Sequence, residues 1–251
     1  MEKIYYETAI YKINQRKSSQ KKEVLTRVPL KEQSYKIMPK ELIMDDMINI
    51  LVTMQHVCFK EEDNEGNRIR LKELFLEEND QTIAIALCLG YKSKDDKLLD
   101  FVDAASATLQ KHNHGFLPYQ QPTINEVCRH KVDKVESLGS PTTNIMHLLE
   151  LYIRGTLMHS NKHFDGMYLY VEKNPEHGSG EFLLKYYGNK YGFQEMKEKE
   201  DNEYYYMKKP LQAIPKIPRT KKKRIRSPSK SPSKSPTKGP TKGGTRKVYK
   251  F

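Results

Sequence analysis

Beyond Gln212 the chain contains no aspartate and no glutamate. Every charge there is positive, fourteen Lys and Arg from Lys216 to Lys250, so the +12 of the whole 251-residue chain belongs to that segment and the remainder is close to neutral. Cysteine is also scarce. Cys58, Cys88 and Cys128 are odd in number and widely spaced, which argues against a disulfide framework or zinc knuckle and for a reducing, intracellular setting. No apolar run approaches the roughly 20 residues of a bilayer span, and the opening Met1 to Tyr6 lacks the apolar segment of a signal peptide. A soluble protein with no membrane partner is expected. His112, His114 and His130 have no carboxylate or thiolate at ligand spacing, so no metal site is expected either.

What is present suffices for one core, with 37% hydrophobic residues. Residues 1–34 read as an N-terminal extension, with a candidate strand over 4–13, a polar loop over 15–22 and a short strand over 24–30. Residues 35–38 open the core sheet in this reading. Leu42, Ile43, Met47, Ile50, Leu51, Met54 and Val57 recur at helical spacing, a packing stripe over 42–59, and a second helix follows over 68–76. Residues 82–89 form a strand whose small Ala84 and Ala86 let a helix approach. Cys88 in its apolar run belongs to the core. A turn over 90–96 returns an antiparallel partner over 97–107. Residues 109–131 are polar, carry Gly115, Pro118 and Pro122, and read as an inserted, substrate-covering loop. A fourth strand is expected over 132–138.

The pattern is densest from Ser140 to Phe193. Ile145, Leu148, Leu149, Tyr152, Ile153 and Leu157 share one face of a helix running from Asn144 towards Met158. An apolar strand over 167–171 is stopped by Asn174-Pro175, and a second helix over 179–187 ends at Gly188-Asn189. Tyr191-Gly192-Phe193 leads into a last pair of strands over 194–200 and 203–208. Such a strand, helix, strand, helix order implies a crossover with a ligand cleft where strand ends meet helix starts.

On Leu169-Tyr170-Val171-Glu172, Asn174, Lys185-Tyr186-Tyr187, Gly192-Phe193 and Tyr204-Tyr205-Tyr206-Met207-Lys208, residues 135–211 resemble the acetyl-CoA-binding half of the GNAT superfamily of N-acyltransferases. The resemblance implies a mixed α/β domain over 35–211, a central, mostly antiparallel twisted sheet flanked by helices. It implies transfer of an acetyl group from acetyl-CoA to a primary amine, by direct attack in a ternary complex. The acceptor is left open between a protein lysine or N-terminus and a small amine. Leu138, Gly139, Ser140, Thr142, Thr143, Asn144 and Ile145 would receive the cofactor's diphosphate at the helix start, and Asn174 its pantetheine arm. A backbone N–H of residues 135–138 would hold the thioester carbonyl. Glu136 is the candidate base and Tyr187, ahead of Tyr186, the candidate acid. With Leu148-Leu149 as anchor, the family's loop glycines fall near Thr143 and Ile145, where this chain has none. Thr142, Thr143 and Asn144 supply caps and side-chain donors instead. Counted back from Gly192, the family's tyrosine position falls on Gly188, and a lengthening by one residue restores Tyr187 to it.

The last segment, 212–251, repeats Ser-Pro-Ser-Lys, Ser-Pro-Thr-Lys and Gly-Pro-Thr-Lys units, a composition without a core and expected to be disordered. It resembles tails on proteins of large cytoplasmic DNA viruses. Non-specific nucleic-acid binding through 216–250 is one expectation for it. The second function class is a catalytically inactive scaffold or nucleic-acid-associated binding protein that keeps the fold and acts through this tail.

Overall fold

Small side chains in the middle of the sheet decide where its main helix sits. In the computed structural model, which describes residues 3–13, 24–30, 36–59, 63–76, 82–112, 120–131, 140–175, 179–197 and 201–215, strands β4 (Thr82–Tyr91) and β5 (Asp103–His112) pair antiparallel from Thr82↔Gln110 to Gly90↔Asp103. One face of the pair presents Ala84, Ala86, Cys88, Ala105 and Ala107, and Ile145, Leu148, Leu149 and Tyr152 of α3 (Pro141–Tyr152) pack onto that floor. The other face, Ile85, Leu87 and Leu89, is covered by Met47, Ile48, Leu51 and Met54 of α1 (Met44–Phe59), with Leu71 of α2 (Glu65–Leu76) beside them. Helices cover both faces, so the alternation of polar and apolar that marks a one-sided sheet is missing here.

Among the described residues the sheet has nine strands. β1 (Tyr5–Ile13), β2 (Val24–Arg27) and β3 (Glu41–Ile43) lie on one side of β4, and β6 (Gln121–Lys131), β7 (Gly166–Glu172), β9 (Tyr204–Pro210) and β8 (Gln194–Glu195) on the other side of β5. The order is β3-β2-β1-β4-β5-β6-β7-β9-β8. Every neighbouring pair is antiparallel except β6 and β7. The architecture is therefore mixed α/β, a mostly antiparallel sheet flanked by helices. After α3 the helix continues through a five-residue π turn, Ile153–Leu157, into α4 (Met158–Ser160). The stretch after β9 lies along this turn: Ile214 N–H donates to the Arg154 carbonyl at 3.1 Å and Arg154 Nε to the Gln212 carbonyl at 3.1 Å. The chain divides into units Met1–Ile214 and Pro215–Phe251, and the repeat-bearing tail from 216 on lies outside the described residues.

Several elements differ from the sequence reading. Of the loop expected over 109–131, residues 109–112 end β5 and 121–131 form β6, while 113–119 lie outside the described residues; β6 takes the place expected for 132–138 as the strand parallel to β7. Some of its polar residues find partners, as where Gln121 Nε2 donates to the His163 carbonyl at 2.8 Å and Asn125 Nδ2 to Gln110 Oε1 at 3.4 Å, so an internal strand tolerates them. β5 also starts later than expected, at Asp103. Residues 36–38 are bends rather than the first core strand. That part is taken by β1, which pairs with β4 from Tyr5↔Tyr91 to Tyr11↔Ile85, so the presumed extension enters the sheet. Cys128, expected to be reduced, is disulfide-bonded, while Cys88 is free and buried. Sequence spacing does not report that the fold brings the Cys128 sulfur within 3.3 Å of the Met54 carbonyl on α1.

Candidate active site

The ladder between β6 and β7 holds for only two pairs, Thr123↔Tyr168 and Ile124↔Leu169. Beyond them β6 carries a bulge. Ser106 faces Cys128 and Thr108 faces Asn125, so Glu126 and Val127 together oppose Ala107. A bulge bends its strand and leaves backbone groups outside the ladder. β7 instead stays paired with β9 along its whole length, Gly166↔Pro210 to Glu172↔Tyr204. The two parallel strands separate, and a cleft of about 90 Å³ opens between Ile124, Asn125, Val127, Leu169, Tyr170 and Tyr187. Ile124, Val127, Leu169 and Tyr187 belong to the α3 side of the sheet. Tyr170 belongs to the opposite side, where it meets the Tyr204 ring edge-on at 5.4 Å between centroids. The cleft thus passes through the sheet.

Tyr187 reaches it from α5 (Gly180–Tyr191), which ends four residues later than the sequence suggested, with Gly188 and Asn189 inside the helix. Ser179 stands at the N-cap position without a side-chain hydrogen bond to the helix. A Cβ on Gly180 would overlap the carbonyl oxygens of Glu172 and Lys173, so only glycine lets the helix abut the end of β7. The helix stops at Gly192, whose φ of 76° lies in the left-handed region, with its N–H returned to the Gly188 carbonyl at 3.0 Å. Burial, with smaller contributions from Tyr186 and Tyr191, pushes the Tyr187 phenol far above its ordinary pKa. It holds its proton at neutral pH.

The start of α3 is the second component. Ser140 is the N-cap and accepts from the Thr143 N–H at 3.4 Å; Pro141 occupies the first turn and has no N–H to offer. Thr142 is buried, and Thr143 Oγ1 lies 3.4 Å from the Tyr191 hydroxyl. Asn144 turns its amide to Cys88 Sγ at 3.6 Å, and Ile145 is buried in the core. Two cations stand near. Lys190 donates to Tyr186 OH at 3.0 Å and to Ser140 Oγ at 3.4 Å. Arg129 of β6 is held at 3.2 Å by Asp103, a fully buried carboxylate that also accepts from Tyr6 OH at 2.7 Å. Burial raises the Tyr186 phenol, but hydrogen bonds with Tyr191 and Lys190 and the charges of Lys190 and Arg129 outweigh it and bring it below its usual value.

The sequence-derived candidates therefore divide. Tyr187 lines the cleft; Ser140, Thr142, Thr143, Asn144 and Ile145 lie together at the start of α3; Asn174 is exposed beyond the end of β7. Glu136, Leu138 and Gly139 lie outside the described residues. Sequence reasoning passed over Asn125, Val127, Tyr170, Arg129 and Lys190. The one available signal was Lys190 at helical i,i+4 spacing from Tyr186. Among the described residues no three His, Cys, Asp or Glu converge as metal ligands, and no helix is long and apolar enough to cross a membrane.

No family model matches the chain, and no curated protein matches it. A solved structure similar to it is that of Arabidopsis thaliana NAA60 in complex with a bisubstrate analogue, at 12% identity and a TM-score of 0.41, covering 72% of this chain and 98% of that one.

Proposed function

We propose that the protein is an N-acetyltransferase of the GNAT type, taking its acetyl group from acetyl-CoA and passing it to a primary amine. The observation that supports this most directly is the parted β6/β7 seam, with a proton-bearing tyrosine on one side of the sheet and polar side chains on the other. Acetyl-CoA supplies an activated acyl group as a thioester. Backbone amides released by the Glu126–Val127 bulge are the donors available to its carbonyl oxygen. Tyr187 is the acid: as the amine nitrogen forms its bond to the carbonyl carbon and the C–S bond breaks, the departing sulfur takes the phenolic proton. Glu136 remains the candidate base for the amine proton. The diphosphate would lie at the start of α3, where Lys190 and Arg129 would add charge to a first turn in which Pro141 has no N–H to offer.

The test is thermal unfolding with and without coenzyme A. Ligand at a hundred times its Kd adds about 2.7 kcal/mol to the folded state, so a clear rise in Tm is expected, and none at millimolar ligand would end the proposal. A second reading has its own observation. Ser140, Lys190 and Tyr191 already engage the start of α3, as in a scaffold that keeps the fold without the cofactor, and an unchanged Tm would select it. For the basic tail the proposed partner is nucleic acid, held without sequence preference. Its affinity should fall steeply with salt and disappear on truncation after Leu211.

A further inference from the structure

Among the described residues Phe182 is the only aromatic side chain exposed to solvent, at 65%. A lone exposed apolar side chain is ordinary; what sets this one apart is the alignment of its ring. The Phe182 ring is stacked on that of Tyr186, 20° from parallel with centroids 6.2 Å apart. Tyr186 is itself fixed. Tyr187 and Tyr191 meet it edge-on, each at 5.6 Å, and its hydroxyl is bonded to Lys190 at 3.0 Å and to Tyr191 OH at 3.2 Å. With one face against a fixed ring, Phe182 offers the other to solvent. Phe182, Tyr186 and Lys190 follow at four-residue steps and so form one stripe along α5. Along its length the stripe changes from apolar ring to phenol to ammonium, and the ammonium reaches Ser140 Oγ at the start of α3, at 3.4 Å.

Resting on the acetyltransferase reading of the neighbouring cleft, we propose that Phe182 is the platform on which the adenine of coenzyme A stacks, with Lys190 beside the phosphates that precede it. The ligand and the stripe have the same order of parts. From its thiol end coenzyme A runs through a pantetheine arm to a diphosphate, then to a ribose bearing a 3′-phosphate, then to adenine. From the cleft this chain runs through Tyr187 to the start of α3 with Lys190, then Tyr186, then Phe182. Lys190 is bonded there to two hydroxyls, so among the described residues no carboxylate neutralises its charge, and a phosphate can. Adenine is a planar π system with apolar faces and polar edges. It gains from stacking on an aromatic face while its nitrogens stay in water. A phenylalanine at the helix surface has no donor or acceptor of its own, so it holds a base without reading the edge.

Dissociation constants are measured on the full chain for two probes, coenzyme A directly and 4′-phosphopantetheine, which lacks the adenosine, by competition. Phe182→Ala should weaken coenzyme A about tenfold, roughly 1.4 kcal/mol and within the range for a base stacked on an aromatic ring. The affinity for 4′-phosphopantetheine should not change. Phe182→Trp should bind coenzyme A at least as tightly as wild type, and Phe182→Leu should behave as Phe182→Ala. Leucine is apolar but has no ring face, so a merely apolar or structural contact would not separate it from tryptophan. Coenzyme A affinity in Phe182→Ala within about twofold of wild type, too little for a stacked base, overturns the inference and leaves the acetyltransferase reading standing. An equal loss for both probes also overturns it, because Phe182 then supports Lys190 rather than a base. So does an unchanged coenzyme A affinity with loss of self-association on size exclusion, which would make the ring a contact between copies of this chain. No coenzyme A binding by the wild type overturns both readings.

Discussion

Two seams of one sheet behave in opposite ways. Between β4 and β5 the ladder is continuous across eight aligned pairs apart from a single irregularity, and alanines on one face bring α3 down onto it. Between β6 and β7 two pairs suffice, and the strands part. The closed seam is held by backbone pairing and apolar contact. The open one is bridged from above. Glu150 on α3 accepts from Lys209 of β9 at 2.6 Å and from Arg154 at 3.1 Å, and Arg154 is also bonded to the segment that follows β9. A parted sheet stays one body because a helix seated on its closed half reaches across to the far half. Where hydrogen bonds between strands stop, charged side chains take over, and the gap stays available to a ligand.

Three substitutions bear on that contrast. The largest effect belongs to the closed half: Leu149→Ala empties a fully buried position on the alanine floor and should cost about 3 kcal/mol in urea unfolding. A loss under about 1 kcal/mol would mean that the helix is not seated there as described. Next, Tyr187→Phe leaves the packing in place and removes the proton donor. The kcat should fall about a hundredfold, in the range for general acids, with coenzyme A binding retained; an unaltered kcat would remove Tyr187 from the chemistry. Smallest is Glu150→Gln across the open seam, costing about 1–2 kcal/mol at neutral pH. Burial raises the Glu150 carboxyl, but Lys209 and Arg154 outweigh it and hold it below its ordinary value. A depressed folded-state pKa gives stability that is full above the unfolded value and is lost as pH falls through the folded one. Wild type and variant should therefore converge below the usual carboxylate range, and a difference that persists into strong acid would contradict the ion-pair bridge.

Much of the fold was legible because its signals are local. The stripe over Met47, Leu51 and Met54, the small residues of β4 and the apolar run of β7 each announce a period that the structure keeps. The failures cluster at β6. Gln121, Asn125 and Arg129 make it look like a loop, because a strand bordering an opening carries polar side chains whose partners come from β5, β7 and distant turns. Hydrophobic periodicity cannot register partners a long way off in sequence. The same limit hid the cleft itself. Tyr187 was recognisable from its neighbours in the chain, whereas Tyr170 looked like one more aromatic in an apolar strand until its hydroxyl was found on Asn125. The helix end was misread at Gly188, since glycine is a stop signal by composition; the stop is at Gly192, where the backbone turns left-handed.

Gly180 fixes where the helix that carries Tyr187 begins. There is no room for a side chain between the first turn of α5 and the carbonyls ending β7, so that end of the helix is seated directly on backbone. The opposite end rests on the start of α3 through Lys190 and Tyr191, so the cation that joins the two helices is also the one an arriving phosphate would draw.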